Sequence, residues 1–283
     1  MFDYIHPLIL PLGFYFLTTS VIGVVGNFIM VLCFIRSKRL RSPCHVLISL
    51  TCFADLLHLS GQFPFCYELF ADKTISQSDC FYLLIIPLTG VLSGGPLPQQ
   101  MLFPFAYVVL ILALGYTARD PLETTRVTCA NPLALNDYSW ETFIYSSIFI
   151  YIFVIVVYWK VYFGLKNAGM SDRMKSVFKS IAVTVANVVF GWVTTIIANT
   201  FSYTITDDSF TAALIQMYAG ITVNTACAIN VFVFYFLNAE YREIIRSLLG
   251  IQSVSSTIFE PSATTTHRRS IAPTKSNNLI TIT

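Results

Sequence analysis

Asp55 lies in the middle of an apolar run at 45–66. A carboxylate at that depth in a membrane is costly to insert and marks a functional position that needs a polar partner. Three amides in other apolar runs can supply one: Asn27 in the run at 11–35, and Asn224 and Asn230 in the run at 212–237. Such a group is either a polar site whose hydrogen bonds change between two states or a knot that only locks helices together. Trp192, inside the run at 177–199, has an apolar body and one N–H that wants an acceptor. It suits the floor of a ligand pocket or ordinary packing.

The other reactive side chains set further bounds. The four histidines are scattered, with no second ligand at metal spacing. There is no phosphate-binding glycine loop, no Ser/His/Asp arrangement and no paired carboxylates for transport. The sequence therefore points to no catalytic residues, metal or cofactor, and not to an enzyme. Among the seven cysteines, Cys33, Cys52 and Cys227 fall within apolar runs and read as small fillers. Cys80 and Cys129 fall in segments assigned below to the outside, where an oxidising setting permits a disulfide. Cys66, near the outer end of its run, is the rival partner.

The elements that must position these residues are membrane helices. Only 11% of the 283 residues are charged, against roughly 25% in soluble domains. A span needs about 20 apolar residues, and runs at 11–35, 45–66, 141–163, 177–199 and 212–237 qualify. Between the second and third lie two shorter pieces, 80–92 and 101–118, split by Ser93-Gly-Gly-Pro-Leu-Pro-Gln-Gln100. The first run is too long for a cleavable signal and ends in basic residues, so it reads as a signal anchor.

Basic residues give the orientation, since short loops rich in Lys and Arg stay cytoplasmic. Arg36, Lys38, Arg39 and Arg41 follow the first run; Lys160, Lys166, Arg173, Lys175 and Lys179 precede the run at 177–199; Arg242, Arg246, Arg268, Arg269 and Lys275 follow the last. The N-terminus is then outside and the C-terminus inside. Parity requires the stretch at 80–118 to cross an even number of times. The expected fold class is all-α, a multi-pass membrane bundle of the seven-transmembrane receptor type with defective third and fourth helices. Residues 1–250 form its one domain, and 251–283 are a Ser/Thr-rich, disordered cytoplasmic tail. The basic residues form no aromatic-interleaved patch, so nucleic acid is not an expected partner.

After the last run, 238–250 reads as a short amphipathic helix. Asn238 is its N-cap and Gly250 its end, while Tyr241, Ile244, Ile245, Leu248 and Leu249 share one face opposite Arg242 and Arg246. An apolar face backed by basic residues suits the inner membrane surface, making lipid a partner.

These residues resemble a known family. Gly26-Asn27, Leu40-Arg-Ser-Pro-Cys-His45 and Leu50-Thr-Cys-Phe-Ala-Asp55-Leu-Leu-His-Leu-Ser-Gly-Gln-Phe-Pro-Phe65 are similar to the serpentine receptor class SX chemoreceptors of nematodes, which are rhodopsin-like G-protein-coupled receptors. Asp79-Cys80 and Pro98-Gln-Gln-Met-Leu102 resemble that family's third helix, and Gly191-Trp192 its sixth. Asn230-Val-Phe-Val-Phe-Tyr-Phe-Leu-Asn-Ala-Glu-Tyr-Arg242 resembles its seventh, running into the surface helix. The resemblance implies a receptor that binds an extracellular small molecule or peptide, activates a heterotrimeric G protein and resides in the plasma membrane. It implies a Cys80–Cys129 disulfide, Trp192 at the pocket floor, and Asn27, Asp55 and Asn230 as the polar network that rearranges on activation.

One departure bears on signalling. The family's third helix ends in an Asp-Arg pair followed by an inner loop. Here Leu102 runs directly into Phe103-Pro104-Phe105, and no basic residue occurs between Lys73 and Arg119. Roughly 15 to 25 residues are missing by comparison, judged from the length that a helix end and a short loop require. This is the pattern of a shortened or signalling-dead relative, one that pairs with an intact receptor as a dimer or is retained in the endoplasmic reticulum. A small transporter or channel is the alternative from another class, since the break at 93–100 resembles a discontinuous helix, but it has no counterpart in the second half.

Overall fold

The computed structural model describes residues 8–93, 102–119, 125–135, 137–167 and 172–251. The breaker at 93–100 beyond Ser93, and the tail beyond Ile251, lie outside the described residues. Helix α1 (Ile9–Arg36) covers the first expected run. The second run is two helices, α2 (Pro43–Ser60) and α3 (Gln62–Ala71). Pro43 opens α2 at a position where its missing N–H has no helical partner to lose. Pro64 has no N–H to return to the preceding turn, and the helix breaks at Gly61. A side chain at Gly61 would meet the Cβ of Pro87 at 2.8 Å, so the glycine permits the next helix to approach.

That helix is α4 (Gln77–Ser93), and α5 (Leu102–Ala118) follows it. The structure describes 17 residues of each. A short α6 (Asn131–Leu135) leads into α7 (Asp137–Asn167) and α8 (Asp172–Ile205). The last run is α9 (Ser209–Ala228) and α10 (Asn230–Leu237), bent by 40° at Ile229. The surface helix is α11 (Ala239–Leu248). Four helices among the described residues are long and apolar enough to span, five if the bent pair counts as one. With α4 and α5 they make seven helical passes.

The passes close into a ring. The first pass packs on α2 and on α9, α2 on α4, α4 on α5, α5 on α7, α7 on α8, and α8 on α9. Large apolar side chains face outward around this ring, among them Phe14, Val25 and Phe28 on α1 and Phe190, Ile197 and Phe201 on α8. Such an outer surface matches lipid, which offers hydrocarbon where a soluble protein would need polar cover. Arg119, just past the end of α5, donates to Ser78 at the start of α4 at 3.4 Å and also bonds Tyr82. The two short helices therefore form a hairpin that returns to the side it left, as parity requires.

At that side a two-stranded antiparallel pair, β1 (Ile75–Ser76) with β2 (Arg126–Val127), lies beside the Cys80–Cys129 disulfide. Cys66 is not its partner: it is free, and its thiol donates to the Gly13 carbonyl at 3.5 Å. At the opposite, basic end, α11 behaves as its pattern predicts. The Asn238 side chain accepts from the N–H groups of Glu240 and Tyr241, and Gly250 takes a left-handed φ of 69° just past the helix. Tyr241 and Ile245 are buried against Met30, Cys33, Cys52 and Phe234. Ile244 and Leu248 pack partly, and Arg242 and Arg246 face away. Leu249 does not join that face; it is exposed, because the helix has ended at Leu248.

Candidate functional site

Helix positions 27, 55 and 230 meet in the middle of the bundle. Asn230 Nδ2 donates to Asp55 Oδ2 at 2.5 Å and to Asn27 Oδ1 at 3.3 Å. Asn27 Nδ2 donates to the Cys227 carbonyl at 2.9 Å, in the last turn of α9, where carbonyls lack helical partners. All three side chains are buried. The amides satisfy a carboxylate that would otherwise be isolated. The network lies beside the 40° bend between α9 and α10.

Asn224 does not belong to this group. Its Nδ2 donates to the Gly220 carbonyl one turn back, at 2.8 Å, and its side chain lines a cavity nearer the disulfide end. Six residues along a helix amount to about 9 Å of rise and a net turn of about 120°, so Asn224 and Asn230 reach different places.

The cavity, of about 180 Å³, opens between α1, α3, α6, α8 and α9. Trp192 lines it and is packed from three directions: by His58 with ring centroids 6.0 Å apart, Phe143 edge-on at 5.8 Å and Tyr151 stacked at 6.1 Å. This cluster separates the cavity from the polar network below. Gly191 makes the position available. A Cβ there would stand 2.9 Å from the Thr222 carbonyl oxygen and 3.0 Å from the Val223 Cα, so only glycine lets α8 lie this close to α9. Thr222 Oγ1 then donates to the Gly191 carbonyl at 3.0 Å.

The disulfide end roofs the cavity. Glu68, buried on α3, accepts the Cys129 N–H through Oε2 at 2.7 Å. Gln77 Nε2 donates to the Ala134 carbonyl at 2.8 Å, fixing α6 over α4. At the same end Asp208 caps α9. It accepts the Thr211 hydroxyl at 2.6 Å and the Thr211 and Phe210 N–H groups at 2.9 and 3.4 Å, which holds its carboxyl below the usual range. Sequence reasoning missed His58, Glu68, Asn131 and Asn199 as cavity residues. Glu68 alone carried a signal, being a second carboxylate inside a spanning segment.

A ring of membrane helices around an accessible cavity, with a disulfide-tied roof above and a buried Asn/Asp/Asn bridge beneath, defines a seven-helix membrane receptor. The family model described as serpentine type 7TM GPCR chemoreceptor Srsx matches residues 20–101 and 97–249, and the chain belongs to that family. It is also 31% identical over 86 residues to the compound eye opsin BCRH1 of Hemigrapsus sanguineus, a similarity covering 29% of this chain and 23% of the opsin. That local similarity agrees with the family match. The chain's match thus spans about a quarter of the curated relative.

Proposed function

We propose that this chain is a chemosensory receptor that takes a small molecule from outside into the cavity above Trp192 and passes its occupancy through Asn27, Asp55 and Asn230 to the basic end. The observation that carries this reading is the cavity itself. Several of its buried polar atoms have no partner among the described residues: both ring nitrogens of His58 and the Oδ1 atoms of Asn131, Asn199 and Asn224. Native interiors leave few such atoms unpaired, and a ligand would satisfy them. The partner expected at the basic end is a heterotrimeric G protein. There α11 packs its apolar face on the bundle and not on lipid.

A second reading concerns signalling and is favoured by one region. The family match comes in two pieces that meet at 97–101, and no Lys or Arg lies between Lys73 and Arg119. On this reading the chain binds ligand but lacks the arginine through which such receptors engage the G protein. It then acts as a silent relative or as the partner of an intact receptor. The two readings share the cavity and differ only at the other end; the break favours the second for this chain.

Ligand occupancy is tested by substituting Gly220, which lines the cavity and has Phe16 3.4 Å from where its Cβ would be. Gly220→Phe should fill the cavity and abolish ligand-induced thermal stabilisation of the purified receptor. Stabilisation that persists in this variant would mean the ligand binds elsewhere.

A further inference from the structure

The atoms left unpaired around the cavity are mostly of one kind. Asn199 and Asn224 each give one Nδ2 N–H to the Thr195 and Gly220 carbonyls, at 2.8 Å, while their buried Oδ1 atoms have no partner among the described residues. The Asn131 oxygen is buried and unpaired too. His58 is only 4% exposed and has no hydrogen-bond partner at either ring nitrogen; a neutral imidazole offers one acceptor and one donor. Glu68 adds a buried carboxylate that accepts the Cys129 N–H. Among the described residues lining the cavity, the only Lys or Arg is Lys73, which is exposed. Phe16, Phe65, Trp140 and Trp192 supply aromatic wall.

The inventory is one of acceptors and negative charge, enclosed by rings whose faces attract cations. We infer that the cavity takes a small organic amine in its ammonium form, its three N–H groups shared among Glu68 and the amide oxygens that line the cavity, its apolar body against the aromatic wall. This rests on the reading of the cavity as the ligand site and adds the chemistry of the ligand. An ammonium supplies three donors and one positive charge, matching what the site lacks. A carboxylate of the same size would set like charge against Glu68 and leave the amide oxygens unpaired. The volume of about 180 Å³ lies under the roughly 300–1,000 Å³ of sites for drug-sized ligands, so the ligand is small.

The test uses the purified full chain in lipid nanodiscs and two matched trios: 2-phenylethylamine, 2-phenylethanol and 3-phenylpropanoate; and hexylamine, hexanol and heptanoate. In each trio the amine should raise the melting temperature most and the carboxylate least. Glu68→Gln keeps an oxygen for the Cys129 N–H and removes the charge. It should weaken the amine about tenfold, the worth of a charge-assisted hydrogen bond, while leaving the alcohol unchanged. Asn224→Leu provides a second variant that leaves the roof intact, and it should weaken the amine while sparing hexanol. Three results overturn the inference: the alcohols or carboxylates stabilise as strongly as the amines, neither substitution narrows the amine preference, or no compound in either trio stabilises the chain. The first of these, with binding abolished by Gly220→Phe, leaves the receptor reading standing. Stabilisation that survives Gly220→Phe removes both.

Discussion

The two ends of the bundle are built to different standards. At the disulfide end every neighbouring element is tied to another: β1 to β2, Cys80 to Cys129, Glu68 to the Cys129 N–H, Gln77 to α6 and Arg119 to α4. Toward the basic end, the outer half of the ring is looser. On α7, Ile152, Phe153, Ile155, Val156 and Val157 are all exposed. These positions cover the wider side of the helix, and the half-buried Tyr151 and Val154 form its narrower packed face. The two pieces of the family match meet at 97–101, between α4 and α5. The disulfide end is the more heavily cross-tied of the two. Seven helices around a cavity do not by themselves make a signalling receptor.

The comparison can be broken most severely at the disulfide. Cys80 and Cys129 are 49 residues apart, and closing a loop of that length in the unfolded chain is worth about 4 kcal/mol. The double variant Cys80→Ser/Cys129→Ser should lose a comparable amount of stability and all ligand-induced thermal shift. A variant that retains that shift would show that the roof is not needed for the cavity. Next come two tryptophans at opposite ends. Trp192→Ala empties a buried position and should cost about 3 kcal/mol, whereas the exposed Trp159 should tolerate alanine within about 0.5 kcal/mol. Equal losses at the two sites, read by thermal unfolding in nanodiscs, would erase the contrast drawn here. The smallest effect belongs to α11. Asn238→Ala removes its N-cap and should cost about 1 kcal/mol. Amide exchange should quicken in α11 and not around Trp192; uniform quickening would tie the surface helix to the whole bundle.

Much of this arrangement is legible in the residues. Long apolar runs mark the spans, basic clusters mark one end, and parity makes 80–118 a hairpin, now seen where Arg119 touches Ser78. Asn238 and Gly250 announce the limits of α11 because capping and left-handed backbone each demand particular residue types. The cavity was far less legible. Grouping Asn224 with Asn27, Asp55 and Asn230 by residue type ignored helix phase, and phase sends Asn224 to the cavity instead. His58 shares a run with Asp55 and Glu68 lies just past its end, yet their tasks depend on which helix lies opposite. That follows from the approach permitted by Gly61 and Gly191, which no spacing rule reveals.

The central claim, a receptor intact at its ligand end and interrupted at its coupling end, is tested most directly by nucleotide exchange. Purified full chain would be compared with a version carrying an inserted helix end, Asp-Arg pair and basic loop after Leu102, each mixed with a panel of heterotrimeric G proteins and 2-phenylethylamine. The account predicts thermal stabilisation by the amine in both, and accelerated exchange only in the inserted version. Exchange by the unmodified chain at the rate of the inserted one would contradict it.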